Sequence, residues 1–439
     1  MVASPPPGSK SAALASVRPL APVFVSYRTS DGSDIAAALA WALRATGVPV
    51  WHDVTDLPPG DTERRLQEAI TSGLSGAVLL ITPDIRHSRV VREIEVPGLL
   101  DLEPDPAFTF AIGSTIAGPA GGGSSTPVAR LDYAAPDALL NQPAGTLERF
   151  KQYPVFDDAG IAGLAREIAA QRMAAVRSLG NRDLLLDIQT RLDPRGTPPE
   201  VPLAVRTRPP APGRRVPDPA IWPPFAAFLT DLPRLLSIAG AHRLRIRGGA
   251  HLTVAFALGA AVPTTARWAV TVEDQTGSTW GESLAESPER TPWQSTIREE
   301  EQAYKPCAAD VGAPVAVYVD VVPSPSPGDA FAEHIAGHPG RYARVIRLYQ
   351  TRRELISPEA AGALATDLSH RIRVCAGLAS THRVHLFLRT PFPIAVMLGR
   401  SLNTLEITLY EWDDAGAISR YVETATVASG RGGGPIVAR

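Results

Sequence analysis

Cysteine is scarce in this chain, since only Cys307 and Cys375 occur among its 439 residues. Two thiols cannot form a disulfide framework or a four-thiolate metal site. No apolar run approaches the length of a membrane span, and residues 1–22 lack the basic start and apolar core of a signal peptide. These absences predict a soluble, cytoplasmic protein.

Neither sign of charge is in excess, because 43 lysines and arginines stand against 45 aspartates and glutamates. That balance argues against a chain that coats nucleic acid, and we expect no direct binding of DNA or RNA. With 44% hydrophobic and 20% charged residues, the chain is too apolar to be largely disordered. Its length predicts two or three domains, each with its own core.

Glycine (36 residues) and proline (42 residues) are frequent and mark loops and linkers. Residues 1–19, rich in alanine, proline and serine, are predicted to be a disordered tail. Proline is dense again over residues 193–224, which indicates a boundary. We therefore expect one domain over residues 20–175, a linker with a connecting helix over 176–204, and a second domain over 205–439.

Short apolar strands alternate with helical patterns in the first half of the chain. Alternation of this kind predicts a parallel sheet with helices on both faces, which is the α/β class. The predicted strands are residues 22–27, 48–51, 76–82 and 108–112, and the predicted helices are residues 34–45, 61–72, 88–100, 160–177 and 181–192.

The second half also alternates strands and helices, and it contains a repeat. Residues 242–259 align without a gap on residues 382–399. Both copies begin His-Arg-aliphatic, continue through a predicted strand and turn, and enter a helix that ends Ala-x-x-Leu-Gly. A duplicated α/β unit predicts two equivalent turns at the carboxyl ends of strands, where open α/β sheets bind ligands.

Four motifs in the first half occur in the order and spacing of one known family. They are Phe24-Val-Ser-Tyr-Arg28 with Asp31, Val50-Trp-His-Asp53 with Leu57-Pro-Pro-Gly60, Ile81-Thr-Pro83, and Ser88-Arg-Val-Val-Arg-Glu-Ile94. Over residues 20–175 the chain resembles a TIR domain, although Arg89 replaces the family's usual tryptophan. The resemblance implies a flavodoxin-like parallel sheet, and either an assembly adaptor or an enzyme that cleaves NAD+ at the nicotinamide–ribose bond.

The enzymes of this family carry a catalytic glutamate in the third helix, and two glutamates are candidates here. The family spacing favours Glu93, and Glu95 is the alternative; residues two apart on a helix point to different faces, so only one can face the cleft. A carboxylate near ribose C1 stabilises the positive charge that develops as neutral nicotinamide leaves. Further NAD+ contacts are expected from Tyr27, Arg28, Trp51, Asp53 and Arg89.

The C-terminal part matches a second family. Residues 385–403 combine an apolar strand, a proline-containing turn and a helix with Leu-Gly-Arg, and residues 405–412 form a strand that ends Tyr-Glu-Trp. Over residues 205–439 the chain resembles a SAVED domain, a family similar to two fused CARF-like Rossmann-type units, in agreement with the repeat. The resemblance implies binding of a cyclic oligonucleotide made in CBASS antiphage systems, commonly a cyclic trinucleotide, with cyclic triadenylate as the expected ligand.

A cyclic oligonucleotide needs phosphate donors from helix N-termini and arginines, together with aromatic faces for its bases. The two equivalent turns of the repeat offer such groups. The predicted ligand contacts are Arg247, Gly248 and His251 in the first copy and Arg389, Thr390 and Phe392 in the second.

We predict no metal site and no resident cofactor. His334 and His338 have a helical spacing, but Gly337 and Pro339 end that helix, and the His-Glu-x-x-His order is absent. No phosphate-binding or dinucleotide-binding glycine motif joins a strand to a helix. NAD+ is therefore expected only as a substrate, and the cyclic trinucleotide as an activating ligand.

Together the two resemblances predict a two-part effector of antiphage abortive infection. The cyclic nucleotide is expected to drive a homo-oligomer or filament, whose TIR domains cleave NAD+ to nicotinamide and ADP-ribose, and no membrane partner is expected. In this family the loop over residues 53–60 packs on a neighbouring domain, so Leu57 and Gly60 are expected assembly residues. The non-enzymatic alternative is a TIR scaffold that assembles on the same ligand and recruits other proteins.

Overall fold

The computed structural model describes residues 17–51, 71–116, 136–192, 194, 198–281, 297–304, 312–323, 329–351, 354–415, 419–428 and 436–437. The chain divides into two units. The first comprises Met1–Ala40, Pro49–Ala175 and Arg195–Glu200, and the second comprises Trp41–Val48, Val176–Pro194 and Val201–Arg439.

A parallel sheet forms the centre of the first unit. Its strands are β1 (Val23–Ser26), β2 (Val50–Trp51), β3 (Gly76–Ile81), β4 (Thr109–Ser114) and β5 (Gln152–Pro154). They pair in the order β2-β1-β3-β4-β5, and every pair is parallel. β1 and β3 are buried along their whole length, as expected for strands covered on both faces. This is the flavodoxin-like order, so the predicted fold class of this unit is confirmed.

The helices that lie wholly or mainly in the first unit are α1 (Thr29–Ala45), α2 (Val96–Leu102), α3 (Pro136–Leu139) and α4 (Asp158–Ser178). The helix predicted over residues 88–100 is irregular, because a 3-10 turn (Ile85–His87) and a π-helical turn (Val91–Glu95) precede α2. The π-helical turn contains both candidate glutamates. Except for its last two residues, the helix predicted over 61–72 lies outside the described residues.

The helix predicted over residues 181–192 is wrong, because this segment forms strand β6 (Asp183–Gln189). Leu184, Leu186 and Ile188 are buried and the residues between them only partly so, which is the two-residue period of a strand. Parallel ladders hold β6 between β7 (Leu203–Arg206) and β8 (Arg243–Gly249). Long-range pairing therefore decides the structure of a segment that we interpreted as linker and helix.

The second unit contains two sheets, ordered β10-β9-β8-β6-β7 and β11-β13-β12-β14-β15-β16-β17. The further strands are β9 (Ala269–Glu273), β10 (Thr279–Gly281), β11 (Ile297–Glu301), β12 (Val315–Asp320), β13 (Arg344–Gln350), β14 (Arg383–Arg389), β15 (Glu406–Asp413), β16 (Arg420–Ala428) and β17 (Ile436–Val437). The helices are α5 (Trp222–Ile238), α6 (Leu252–Ala261), α7 (Asp329–Ala336), α8 (Ala361–Leu378) and α9 (Phe392–Ser401).

The predicted repeat is present in the structure. β8 and α6 have the same lengths as β14 and α9, and every bound is displaced by 140 residues. The orders β10-β9-β8-β6-β7 and β16-β15-β14-β12-β13 correspond strand for strand. In each half one pair, β9–β10 or β15–β16, is antiparallel, and the other corresponding pairs are parallel. Two copies of one α/β motif therefore build the second unit.

The two copies meet where α6 and α9 cross. A Cβ atom on Gly259 would overlap the carbonyl oxygen of Val396, and a Cβ atom on Gly399 would overlap the carbonyl oxygen of Phe256. Phe256 and Val396 occupy the same position in the two copies, so the contact is reciprocal. Every residue of α6 from Thr253 to Ala261 is buried. Glycine at both sites is what allows the helix backbones to approach this closely.

We expect Gly399→Ala or Gly259→Ala to lower the free energy of unfolding of the second unit by about 2–3 kcal/mol, because the added methyl group forces the crossing apart. Alanine is intrinsically the better helix former by about 1 kcal/mol, so any loss reflects the contact. Chemical denaturation of the full chain measures it. The control is Gly377→Ala on α8, where a Cβ atom meets nothing within 4 Å. Equal stability of the Gly399 and Gly377 variants would contradict this account of the crossing.

Candidate functional site

The first unit has its candidate site at the carboxyl ends of β1 and β3. The strand order reverses between these two strands, which is where open α/β sheets bind ligands. The Asp31 carboxylate on α1 accepts hydrogen bonds from Thr82 Oγ1 (2.8 Å) and from the backbone N–H of Asp84 (2.8 Å). The start of α1 is therefore tied to the loop that follows β3.

The predicted NAD+ contacts lie in different surroundings. Tyr27 is buried, with its ring beside Gly32, and Arg28 is partly buried and donates from Nε to Ser30 Oγ (2.8 Å). Both follow β1 directly. Trp51 is partly buried, and its ring centroid lies 6.2 Å from that of Phe24. The structure therefore brings Tyr27 and Arg28 to the site. Asp53, Leu57 and Gly60 lie outside the described residues.

The two candidate glutamates point in different directions from the π-helical turn. Glu95 is buried, and one of its carboxylate oxygens accepts a hydrogen bond from Ser26 Oγ at 2.5 Å. The Glu93 side chain is 51% exposed, with carboxylate oxygens 3.0 Å from Arg92 and 3.9 Å from Arg89 Nε. Glu95 thus joins the helical turn to the end of β1, whereas Glu93 is reachable from solvent.

The second unit contains a cavity of about 590 Å³ to which both copies of the repeat contribute. In the first copy, Arg191 follows β6 and Leu252 begins α6. In the second copy, the lining comes from the ends of β14 and β15 and from β16. The lining residues are Arg191, Arg215, Leu252, Val322, Leu388, Arg389, Thr390, Glu411, Trp412 and Tyr421.

An ion pair stands where the strand order reverses in each copy. Asp320 on β12 lies opposite Arg389 on β14, and their side chains are 2.6 Å apart. Asp187 on β6 lies opposite Arg247 on β8 at 2.8 Å. Arg389 lines the cavity, whereas Arg247 is not among the described residues that line it. The two pairs lie two residues out of register with each other, since Arg247 aligns with Phe387 and Arg389 with Gly249, and only the Asp320–Arg389 pair reaches the cavity.

The N-terminus of α6 is already occupied by a side chain of the other copy. Glu411 on β15 accepts hydrogen bonds from the backbone N–H groups of Leu252 (3.4 Å) and Thr253 (3.2 Å) and from Thr253 Oγ1 (2.9 Å). Burial raises the pKa of this carboxyl. The α6 terminus therefore has few donors left for a phosphate. At α9, Pro391 and Pro393 remove two further N–H groups.

Positive charge in the cavity comes instead from three arginines. Each faces a carboxylate: Arg389 faces Asp320 at 2.6 Å, Arg215 faces Asp414 at 2.7 Å, and Arg191 lies 3.8 Å from Glu411. Arg191 and Arg215 are 54% and 67% exposed. Sequence reasoning missed both, because Arg191 lies in the segment predicted as a helix and Arg215 in the proline-rich segment.

Of the other predicted ligand contacts, Thr390 lines the cavity, whereas Gly248 and Phe392 do not. Thr390 lines the cavity, and its buried Oγ1, like Trp412 Nε1, has no hydrogen-bond partner among the described residues. Gly248 has φ +124°, and a Cβ atom there would overlap the carbonyl oxygen of Ile188, so it permits the close pairing of β8 with β6. Phe392, the first residue of α9, is partly buried and is not part of the cavity lining in the described chain.

His251 is buried at the N-terminus of α6 and does not appear in the cavity lining. Its backbone N–H donates to Thr190 Oγ1 (3.0 Å), and its ring Nδ1 lies 2.8 Å from the same oxygen. Burial and the nearby charge of Arg191 lower the pKa of His251 to about 4. A neutral imidazole at this position joins β6 to the helix start.

The histidine pair that we weighed as a metal site belongs to an aromatic cluster. The rings of His334 and His338 stack with centroids 4.3 Å apart, and His334 Nε2 lies 2.9 Å from Tyr342 Oη. Within the described ranges, no group of three or more His, Cys, Asp or Glu side chains is placed to hold a metal ion. Among the helices in the described part of the chain, none has the length and apolar character required to cross a membrane.

These features define a two-part α/β protein in which a flavodoxin-like unit is joined to a duplicated unit with a shared cavity. Comparison with known families names both parts. The model of the TIR domain matches residues 23–103, and the model of the "SMODS-associated and fused to various effectors sensor domain" (SAVED) matches residues 229–427. The chain therefore carries a TIR domain followed by a SAVED domain, as the motifs predicted.

A curated relative matches the TIR part. It is the NAD(+) hydrolase PdTIR of Paracoccus denitrificans (strain Pd 1222), 37% identical over 82 residues, which are 18% of this chain and 27% of that protein. The chain thus spans about a quarter of the length of this relative.

Solved structures of SAVED/CARF-domain containing receptors align over most of the chain. The Acinetobacter baumannii Cap4 receptor with the cyclic trinucleotide 3'3'3'-cAAA is 12% identical with a TM-score of 0.44, and the alignment covers 91% of this chain and 99% of that one. The Moraxella osloensis Cap4 receptor is 11% identical with a TM-score of 0.39, covering 90% and 98%.

The buried imidazole of His251 makes stability depend on pH. Its pKa is lowered to about 4 in the folded chain. As the pH falls from 6.5 to 4, the His251 side chain therefore binds a proton in the unfolded chain but remains neutral in the folded chain. Stability should therefore fall as the pH is lowered through this range, by about 2–3 kcal/mol from this residue.

His251→Asn should remove that part of the pH dependence. Part of the dependence of stability on pH will persist in this variant, because burial also lowers the pKa of His334 to about 4. Urea unfolding of both proteins at intervals between pH 4 and 7 provides the comparison, and parallel curves would show that His251 is not the group responsible.

Proposed function

We propose that this chain is an NAD+ hydrolase activated by a cyclic oligonucleotide. The TIR domain would cleave NAD+ to nicotinamide and ADP-ribose, and the SAVED domain would bind the activator. The observation that carries the proposal is the joining of a TIR domain to a sensor-family domain whose two repeats share one arginine-lined cavity. Similarity to PdTIR, itself an NAD(+) hydrolase, supports the enzymatic half.

The chemistry of the cavity suits a cyclic trinucleotide, and we propose cyclic triadenylate. Such a ring carries three phosphodiester charges, and Arg191, Arg215 and Arg389 offer three guanidinium groups. Trp412 and Tyr421 add aromatic surface for bases. A volume of about 590 Å³ lies within the usual range for small-molecule sites.

For the cleavage we propose Glu93 as the catalytic carboxylate. The bond between ribose C1 and the nicotinamide nitrogen breaks, and its electrons leave with neutral nicotinamide. A carboxylate beside C1 stabilises the resulting oxocarbenium-like charge and orients the water that attacks it. The exposure of Glu93 supports this role, since the carboxylate of Glu95 is buried against Ser26. Tyr27, Arg28 and Arg89 are proposed to contact NAD+.

We also propose that the ligand acts through assembly. A head-to-tail contact between TIR domains, using the segment that contains Asp53, Leu57 and Gly60, generates open filaments unless its rotation closes a ring. The ligand stabilises the assembled state by binding it more tightly than the free chain. In a cell, the resulting loss of NAD+ would serve antiphage defence of the CBASS type.

Glu93→Gln should lower NAD+ cleavage at least ~100-fold, because it removes the charge that stabilises the transition state while keeping the size of the side chain. Ligand-driven assembly should be unchanged. NAD+ loss and light scattering, measured on the same samples with and without cyclic triadenylate, provide both readouts. The comparison variant is Glu95→Gln, which we expect to stay active. The reverse result would transfer the catalytic role to Glu95, and assembly of the natural chain without NAD+ loss would favour the scaffold function.

Arg389→Glu should weaken binding of cyclic triadenylate about 100-fold and reduce NAD+ loss in parallel, since a phosphate partner becomes a like charge. Arg191→Glu should act in the same direction from a more exposed position. The matched control is Arg383→Glu at the opposite end of β14, which is exposed and away from the cavity. Calorimetric titration gives the affinities, and normal binding by both cavity variants would remove this cavity as the site.

A further inference from the structure

A groove lined by arginines lies at the amino edge of the sheet ordered β10-β9-β8-β6-β7. Arg182 and His242 directly precede β6 and β8, and Arg267 lies two residues before β9. Two adjoining cavities, of about 310 and 430 Å³, are found there and share Arg177, Gly240 and His242. We call the two together the amino-edge groove. Its other lining residues, all in the second unit like the three shared ones, are Gly180, Asn181, Arg182, Ser237, Ala239, Ala241 and Arg267.

The lining of this groove carries positive charge without compensation. Arg177, Arg182 and Arg267 are exposed, and His242 adds a ring N–H donor. Among the described residues, no aspartate or glutamate lines either cavity. None of the three arginines forms an ion pair within the part of the chain that the structure describes. A groove that collects three unpaired guanidinium groups attracts anions.

Capping of the neighbouring helices does not account for these arginines. Carbonyl groups at the ends of α4 and α5 already accept backbone hydrogen bonds, from Gly180 N–H to Arg177 (3.1 Å) and from Gly240 N–H to Ser237 (3.1 Å). The negative end of α4 does attract a cation, which would explain Arg177 alone. The other two arginines of the groove lie outside the helices, in the segments that lead into β6 and β9.

The second copy of the repeat has the same framework without two of these charges. By the ladder registers, Ala313 takes the place of Arg182 in front of β12, and Thr404 takes the place of Arg267 in front of β15. The fold of the repeat therefore does not require an arginine at either position. A role in binding explains why the first copy has both.

The lining narrows the class of ligand. Three guanidinium groups suit a ligand with more than one phosphate, because each can donate two hydrogen bonds to phosphate oxygens. In the described part of the chain, His242 is the only lining residue with a ring, so the groove lacks the aromatic platforms on which successive bases of a nucleic acid stack. Volumes of about 310 and 430 Å³ are in the range of small-molecule sites.

We propose that the amino-edge groove binds the diphosphate group of a small molecule, with Arg177, Arg182 and Arg267 as the phosphate partners. The diphosphate is either free or part of a nucleotide such as ADP-ribose. The groove is at the opposite strand ends from the cavity proposed for cyclic triadenylate, since Arg182 precedes β6 and Arg191 follows it. The inference does not rest on the proposed function.

The test is a set of calorimetric titrations of the full chain with inorganic pyrophosphate, inorganic phosphate and ADP-ribose. Pyrophosphate should bind at least ~10-fold more tightly than phosphate, because it reaches more than one arginine. Arg182→Ala and Arg267→Thr introduce the residues of the second copy. Each should weaken pyrophosphate binding about 10-fold, and the double variant about 100-fold. If the double variant loses more affinity for ADP-ribose than for pyrophosphate, the source is a nucleotide, and the reverse identifies free diphosphate.

Two controls separate this site from the first cavity and from damage to the fold. Arg243→Thr changes an exposed arginine that pairs with Asp183 at 3.2 Å and lines neither cavity of the groove, so it should bind pyrophosphate like the natural chain. Arg389→Glu should keep pyrophosphate binding. The double variant should unfold at the same urea concentration as the natural chain, because both new residues already occur in the same fold.

The outcomes are distinguishable. If pyrophosphate binds no better than phosphate, or binds equally well to the double variant, the site is overturned. Loss of pyrophosphate binding in Arg389→Glu alone would assign the diphosphate to the first cavity. Binding of a single-stranded DNA oligonucleotide in place of pyrophosphate, lost in the double variant, would make the groove a nucleic-acid surface and overturn the proposal. If the groove binds pyrophosphate but the chain binds no cyclic oligonucleotide, the proposed function fails and this site stands.

Discussion

The crossing of α6 and α9 at Gly259 and Gly399 is the contact on which the second unit depends. Each glycine lies against the backbone of the other helix, so the two copies of the repeat are held at a separation that no larger residue permits. The cavity is formed by the elements that this contact joins, because Leu252 begins α6 while Arg389 and Thr390 lead into α9. Arg400 adds a hydrogen bond from its guanidinium to the carbonyl oxygen of Val262, just beyond the end of α6.

The two copies have kept their framework and changed their helix starts. Both have an aspartate–arginine pair between the two strands where the order reverses, although the two pairs lie two residues out of register. At α6, however, the helix start is occupied by Glu411 from the other copy, and at α9 it is flanked by two prolines. The cavity is therefore asymmetric although its scaffold is nearly symmetric. Such a cavity can treat the chemically similar parts of a cyclic ligand differently.

Much of the framework could be predicted from the sequence. The repeat was visible because an ungapped alignment also preserves the strand, turn and helix order, and the alternating pattern of the first half gave its parallel sheet. Strand β6 was not predictable in this way, since Leu184 to Ile188 take their structure from ladders to β7 and β8, which are distant in sequence. The cavity arginines were missed for the same reason. Arg191 directly follows strand β6 and Arg215 lies in the proline-rich segment, and no local sequence pattern places either residue at the cavity.

The sequence also could not predict which of the two glutamates, Glu93 or Glu95, is buried. Spacing alone shows that Glu93 and Glu95 face different sides of a helix, but not which side is buried. The hydrogen bond between Ser26 and Glu95 decides this, and it joins residues far apart in the chain. A buried carboxylate and an exposed one paired with arginine present different chemistry to NAD+, so the two glutamates are not interchangeable.

The three carboxylate–guanidinium pairs around the cavity suggest how a charged ligand is admitted. Arg191 and Arg215 are more than half exposed, so water solvates their guanidinium groups. Glu411 is buried, but the hydrogen bonds that it accepts from the start of α6 remain when Arg191, 3.8 Å away, turns to another partner. Exchanging their carboxylates for phosphates therefore costs little. The Asp320–Arg389 pair is 10% and 16% exposed, and separating it would leave a poorly solvated charge. Arg389 should thus keep Asp320 as its partner while it contacts the proposed ligand. A molecule with one phosphate would gain at one arginine only, whereas the proposed cyclic trinucleotide, with three phosphates, would engage all of them at once, and this would favour it over mononucleotides.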